Sequence, residues 1–455
     1  MNEYQNGTID NPVIEVRLNN TRLSVRKKIG FGIADAGGNV FFTVMGFWAL
    51  TYLTDTVYLT PALAGIAIMA AKIWDAVTDP MVGYLSDRTC TRWGRRRPYL
   101  LFGALPFGLS VYLFFTKPLF IGQTALFWWA LLMLCVVNTA MTLVNIPYSA
   151  LTPELTADYN EQTSLNAYRF LCAGIGTMIG AVIVMPIVAA FSSKAAGFSA
   201  AGAVIGVVIV AATLVTFLSV REAVPPVRKA SAQSESLVSV YAAIFKNRAY
   251  LVLLAVFTLH ITAINFLQGI VVYYLKYIYH AESFATTVMA VLLIAAMGSI
   301  PLAAKCSNTF GKNVSYRIGL GVIAGVAMVI FFIGHKIGTT ALAVLFGAAG
   351  VGVGFAFSTP WAMLPDAIAL QQGSVHNEGC YYGVWTFASK LGQAVSTGLT
   401  GLILSAAGYH ADAVQLPKTI FAIRCIAGPI AAAVCLSGFL LLRWFPSSTA
   451  EMQSS

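Results

Sequence analysis

Charge is what this sequence has least of. Lys, Arg, Asp and Glu make up 10% of its 455 residues, hydrophobic residues make up 58%, and the mean hydropathy is +0.75. Water-soluble domains carry about 25% charged residues, so a soluble globular domain is excluded. Long polar stretches are also few: the first 28 residues, a connector at 221–248 and a short tail. The seven cysteines include no CxxC pair and no Cys/His ligand spacing, which argues against a disulfide framework and a structural metal site. No phosphate-cradling glycine loop and no nucleophile with a base and an orienting acid is present. ATP-driven pumping and catalysis therefore fall away, and no enzyme activity or cofactor is expected.

Apolar length is what remains. A membrane-spanning helix needs about 20 mostly apolar residues, and the chain supplies twelve such segments. They are predicted at 30–53, 62–86, 99–116, 122–150, 166–191 and 197–220, then 249–278, 284–304, 314–335, 339–364, 380–406 and 418–443. The expected organisation is an arm (1–29), a six-helix bundle (30–220), a linker (221–248), a second six-helix bundle (249–443) and a tail (444–455). The linker, rich in Pro, Ser and charge, reads as flexible. A polar arm leads directly into the first segment, which is expected to act as an uncleaved anchor. Basic residues crowd one side of the predicted topology, with Arg26, Lys27, Lys28, Arg88, Arg92, Arg95, Arg96 and Arg97 dominating. That side is expected to be cytoplasmic, with both termini on it. The net charge of +10 is then a topology signal with some attraction to anionic lipid, not a nucleic-acid footprint. The tripeptides NGT and NNT lie on the same side and carry no weight as glycosylation sites.

The two halves echo each other. The fourth segment ends in NIPYSALTPE (145–154) and the tenth in TPWAMLPD (359–366). The connector DRTCTRWGRRR has a weaker counterpart in KCSNTFGK. Six plus six helices with this duplication predict two pseudo-symmetric bundles with a substrate site between them near mid-membrane.

An ionisable side chain at the centre of a membrane costs about 2.5–3.5 kcal/mol on insertion scales and usually marks function. Residues four apart share a helix face, so Lys72, Asp75 and Asp79 point the same way. Two carboxylates, the Thr78 hydroxyl and a backbone loosened by Pro80 form an oxygen-rich site suited to a small hard cation. The competing reading is a structural ion pair with Lys72. Asp35 and Asn39 share a face of the first segment beside Gly37 and Gly38. Asn138, Thr142 and Asn145 line the fourth, Tyr382, Thr386, Lys390 and Gln393 the eleventh, and Arg169 lies in the fifth. Multidentate hydrogen bonding from such groups suits a sugar. His260, Asn265 and Gln268 read as packing or minor pocket residues.

The stretches GFGIADAGGNVFF, YLTD, KIWDAVTDPMVGYLSDRTCTRWGRRRP, NIPYSALTPE and NEGCYYGVWTFASKLGQA together resemble the glycoside–pentoside–hexuronide:cation symporters. That family is a branch of the major facilitator superfamily that includes the melibiose carrier. The resemblance implies the major facilitator fold in a plasma (bacterial inner) membrane. It implies symport of a sugar with a monovalent cation, Na+ or H+. It places the cation, Na+ included, at Asp75 and Asp79 with help from Thr78 and Thr142. It places sugar contacts at Asn39, Asn145, Arg169, Thr386 and Lys390, beside which Asp35 and Tyr382 stand as further substrate candidates. Asp87, Arg88, Arg95, Arg96 and Arg97 match the superfamily loop expected to latch the halves on the cytoplasmic side. Thr78 stands where the melibiose carrier has Asn, Asn39 and Asn145 stand where it has aspartates, and Ser149 stands where it has tryptophan. Loss of those aspartates leaves Arg169 and Lys390 short of counter-charge, which favours an acidic sugar such as a hexuronide. A lysolipid carrier on the same scaffold is the alternative.

Overall fold

Twelve long helices build the computed structural model, which describes residues 23–89, 91–156, 158–220, 244–370 and 378–446. Helices α1 (Val25–Asp55), α2 (Pro61–Arg88), α3 (Arg97–Phe114), α4 (Gln123–Ser149), α5 (Tyr159–Ala189) and α6 (Lys194–Ser219) form one bundle. Helices α7 (Arg248–Tyr277), α8 (Ala285–Phe310), α9 (Lys312–Ile333), α10 (Thr339–Ala369), α11 (Glu378–Ala406) and α12 (Pro417–Trp444) form the other. Ten of them are long and apolar enough to cross a membrane. The other two are α3, whose 18 residues begin at Arg97 and include two prolines, and α11, which bears the polar stripe. Most of the expected linker (221–243) and the end of the tail lie outside the described residues.

Helix starts follow capping chemistry. Helix α1 begins at Val25, ahead of the expected start at residue 30, because the Ser24 hydroxyl accepts the Lys27 amide at 3.4 Å. Helix α5 begins at Tyr159 rather than near 166, because Asp158 accepts the Glu161 amide at 2.8 Å. Hydropathy misses these first turns since a capped helix can run past the apolar layer. Helices α1 and α5 meet closely at Gly176, where a Cβ would lie 2.1 Å from the Ala36 carbonyl oxygen. That approach brings Asp35 next to Arg169.

The duplication extends to a polar clamp in each bundle. Gly94 and Gly311 both adopt positive φ (101° and 90°), which glycine reaches without steric cost. Each precedes a basic residue that pairs with the acid ending the proline motif. Arg95 bonds Glu154, which Arg96 Nε also meets at 3.0 Å; Lys312 meets Asp366 at 2.6 Å. The described partners of the arginine loop lie in its own bundle: Arg96 bonds Asp87 at 2.8 Å, Arg97 donates to the Phe217 carbonyl at 2.8 Å, and Arg88 covers the Tyr84 ring. The loop braces α2 and α3 against α4 and α6, because the acid and the carbonyl within reach belong to that bundle.

The bundles touch through α1 with α7, α2 with α11, and α5 with α8. At the end remote from the arginine loop, Gly401 of α11 lies so close to α2 that a Cβ would sit 2.2 Å from the Pro61 carbonyl oxygen. A buried polar cluster closes the same end. Asp55, 3% exposed, accepts from Thr54 at 2.8 Å, Tyr277 at 3.3 Å, and also from Lys276 and Tyr409. Lys276 also bonds Asp412 at 2.9 Å, Thr54 meets Tyr273 at 2.7 Å, and Lys194 meets Glu282 at 2.8 Å. Among the described residues, every hydrogen bond or ion pair between the bundles lies in this cluster or near the middle of α2.

Candidate cation and substrate site

Near the middle of α2, one turn separates Asp75 from Asp79, and the two carboxylates share a face. Asp75 is 1% exposed at its side chain and Asp79 18%. The Thr142 hydroxyl on α4 reaches both, at 2.9 Å from Asp75 Oδ1 and 3.2 Å from Asp79 Oδ1. Between the carboxylates sits the Lys390 ammonium of α11, 2.8 Å from Asp75 Oδ2 and 2.5 Å from Asp79 Oδ2. The pair therefore does have a lysine partner, but from the opposite bundle; Lys72 makes no ion pair within 4 Å among the described residues. Lys390, expected as a substrate contact, is part of the carboxylate cluster. The Thr78 hydroxyl donates to the Asp75 backbone carbonyl at 3.1 Å.

A second cluster lies wholly in the first bundle. Arg169 Nε meets Asp35 Oδ2 at 2.7 Å, and Nη2 stands 3.4 Å from Oδ1. The Tyr148 hydroxyl stands 2.7 Å from Asp35 Oδ2 and 2.9 Å from the Phe31 carbonyl oxygen, and its single proton goes to the nearer, charged Asp35. Arg169 Nη1 donates to Thr152 at 2.9 Å. Both buried cations thus hold carboxylate partners: Asp35 for Arg169, Asp75 and Asp79 for Lys390. This removes the charge-balance argument for an acidic substrate.

The other sequence-predicted residues are placed as follows. The Asn39 amide donates to the Asp35 carbonyl at 2.8 Å, leaving its own side-chain carbonyl unused in that bond. Asn145 is partly buried on α4, one turn from Thr142. Thr386 and Tyr382 are exposed on α11, and the Thr386 hydroxyl donates back to the Tyr382 carbonyl at 2.9 Å. Asn138 donates weakly to the Ala71 carbonyl at 3.4 Å. His260 is fully buried beside Tyr316, in an aromatic cluster with Phe257.

The family described as MFS/sugar transport protein matches residues 30–448. The chain belongs to that family. This transporter, not an enzyme, is 27% identical to the inner membrane symporter YicJ of Escherichia coli K12, covering 95% of this chain and 94% of that one. It is 27% identical to an isoprimeverose transporter of Lactiplantibacillus pentosus, over 88% of this chain and 84% of that one. A sodium-dependent lysophosphatidylcholine symporter 1-A of Danio rerio matches at 27%, over 93% and 86%. In fold, the transporter is similar to the nucleoside transporter NupG, with a TM-score of 0.68 at 13% identity over 92% of this chain and 98% of that one. It spans the membrane many times as a major facilitator protein.

Sequence reading of the transporter missed Tyr148, although it lies inside the quoted motif NIPYSALTPE, because its hydroxyl partner sits on another helix. It also missed Glu154 as the acceptor for the arginine loop, and the cluster around Asp55. Asp55 ends the quoted YLTD, but its partners are 221 and 354 positions away.

Proposed function

We propose that this transporter is a cation-coupled symporter that carries a sugar or glycoside into the cell by alternating access across the plasma (bacterial inner) membrane. The arginine-loop end and both termini are cytoplasmic in this reading, as the excess of Lys and Arg at that end supports. The observation that carries the proposal is the Lys390 ammonium held between Asp75 and Asp79. A monovalent cation needs the same two carboxylates and the Thr142 hydroxyl, so it competes with the ammonium. Entry of the cation frees Lys390 from α2, and the freed donor then requires an acceptor in the cavity, which substrate oxygens supply. Ion and substrate are thereby favoured together, at the seam between α2 and α11 of opposite bundles. Two carboxylates with a hydroxyl favour sodium over a proton, which needs only one titrating carboxylate. Asn39, Asn145, Arg169, Asp35, Thr386 and Tyr382 are the proposed substrate contacts, with lipid as the surrounding partner.

The sugar reading rests on the family and on relatives such as the isoprimeverose transporter. A lysolipid substrate is the second reading, because relatives named for sodium-dependent lysophosphatidylcholine transport match over a similar length. Uptake of labelled glycosides at fixed pH, with sodium replaced by choline, tests ion and cargo together. Asp75→Asn and Asp79→Asn should each abolish accumulation against a gradient. Full accumulation in either variant removes these residues from coupling, and an unchanged rate without sodium makes the proton the driver.

A further inference from the structure

We propose that Tyr148 is a positioning residue that holds the Asp35–Arg169 pair open along one edge, where it reads two adjacent hydroxyls of a neutral sugar; this rests on the sugar reading above. Arginine and a carboxylate ordinarily meet through two parallel bonds. Here they do not. Asp35 Oδ2 receives both Arg169 Nε and Tyr148 Oη, each at 2.7 Å, while Oδ1 has only the 3.4 Å contact from Arg169 Nη2. A carboxylate oxygen accepts two bonds and each terminal guanidinium nitrogen donates two. Oδ1 therefore keeps acceptor capacity, and Nη2 keeps donor capacity, side by side on the same edge. Both side chains retain some exposure, 17% for Arg169 and 15% for Asp35.

One acceptor beside one donor is the complement of a vicinal diol: one hydroxyl donates to Oδ1 and its neighbour accepts from Nη2. An acidic ligand would match the guanidinium but face the Asp35 carboxylate. Tyr148 is itself 2% exposed, so it acts through Asp35 and not by touching substrate. Its ring is fixed, packed on Phe31 with centroids 4.8 Å apart and covered by the Arg169 guanidinium at 4.8 Å. Without the hydroxyl, Asp35 is free to turn into the symmetric two-bond arrangement with Arg169, which uses up the open edge.

The test uses the purified full chain and matched pairs of methyl glucosides, galactosides and xylosides with the corresponding methyl glucuronide and galacturonide. Binding is followed by tryptophan fluorescence, and counterflow in vesicles gives KM and Vmax separately. The parent should bind a neutral member at least about tenfold more tightly than its acidic match. Tyr148→Phe should weaken neutral binding about tenfold, the loss of one hydrogen bond to a charged group, and raise KM with Vmax unchanged. Asp35→Asn should narrow the preference between neutral and acidic members, because it removes the charge that repels an acid. Tighter binding of the acidic members by the parent overturns the proposal. Should Tyr148→Phe bind neutral glycosides as tightly as the parent, the positioning role falls and the sugar reading stands. If no glycoside of either kind binds while lysophosphatidylcholine does, the sugar reading falls and this proposal with it.

Discussion

Lys390→Ala removes the ammonium from between Asp75 and Asp79 and leaves their carboxylates facing each other one helical turn apart. Asp75 has almost no solvent contact, and the Thr142 hydroxyl can donate its single proton to only one of the two. Removing one partner of a buried ion pair costs about 3–5 kcal/mol, chiefly because a charge is left uncompensated. A sodium ion entering the parent must first displace the ammonium from the same oxygens; in the variant it meets no competitor. If that displacement costs about 3 kcal/mol, at about 1.4 kcal/mol per tenfold the variant should bind sodium about a hundredfold more tightly. The assay is thermal unfolding of the purified transporter, titrated with sodium chloride at constant ionic strength with choline chloride. The midpoint for ion stabilisation should move to about a hundredth of the parent's sodium concentration, while accumulation of substrate is lost. An equal or higher sodium requirement in Lys390→Ala would show that the ammonium and the ion do not share a site, and would refute the exchange of one for the other.

Two further outcomes follow from the polar cluster at the end remote from the arginine loop. Asp55→Asn withdraws the charge that receives Thr54, Tyr277, Lys276 and Tyr409. Each hydrogen bond to a charged group is worth about 1.5–3 kcal/mol, so a cysteine placed at the buried Thr51 should react with an impermeant maleimide about tenfold faster or more. Labelling no faster than in the Thr51→Cys parent would count against this cluster as the closure. Burial pushes the Asp412 carboxyl up, but the Lys276 ammonium, bonded to it and charged beside it, outweighs burial and holds it below its ordinary value. Because the folded pKa is the depressed one, the stabilisation is present above the ordinary value of about 3.9 and is lost as pH falls through the folded value. Thermal stability measured from pH 6 downward should therefore decline below about pH 4, and Asp412→Asn should shallow that decline; a variant with the parent's acid slope would exclude Asp412 as a contributor.

Much of this protein is written in local quantities. Hydropathy over about 20 residues and helix period are properties of neighbours in the chain, so the membrane class, the helices and the six-plus-six duplication are readable without coordinates. So is the shared face of Asp75 and Asp79, since a four-residue spacing decides it. Burying a charge, by contrast, requires a partner but does not say which one. Lys72, one turn from Asp75, was the near choice, yet packing brings Lys390 from 311 positions away onto Asp79 and onto Asp75 beside it. In the same way Asp35 takes Arg169 from another helix, and the arginine loop clasps Glu154, 59 positions from Arg95. Spacing along the chain sets which residues share a face; only the approach of one helix to another, as at Gly176 against Ala36 or Gly401 against Pro61, sets which faces meet.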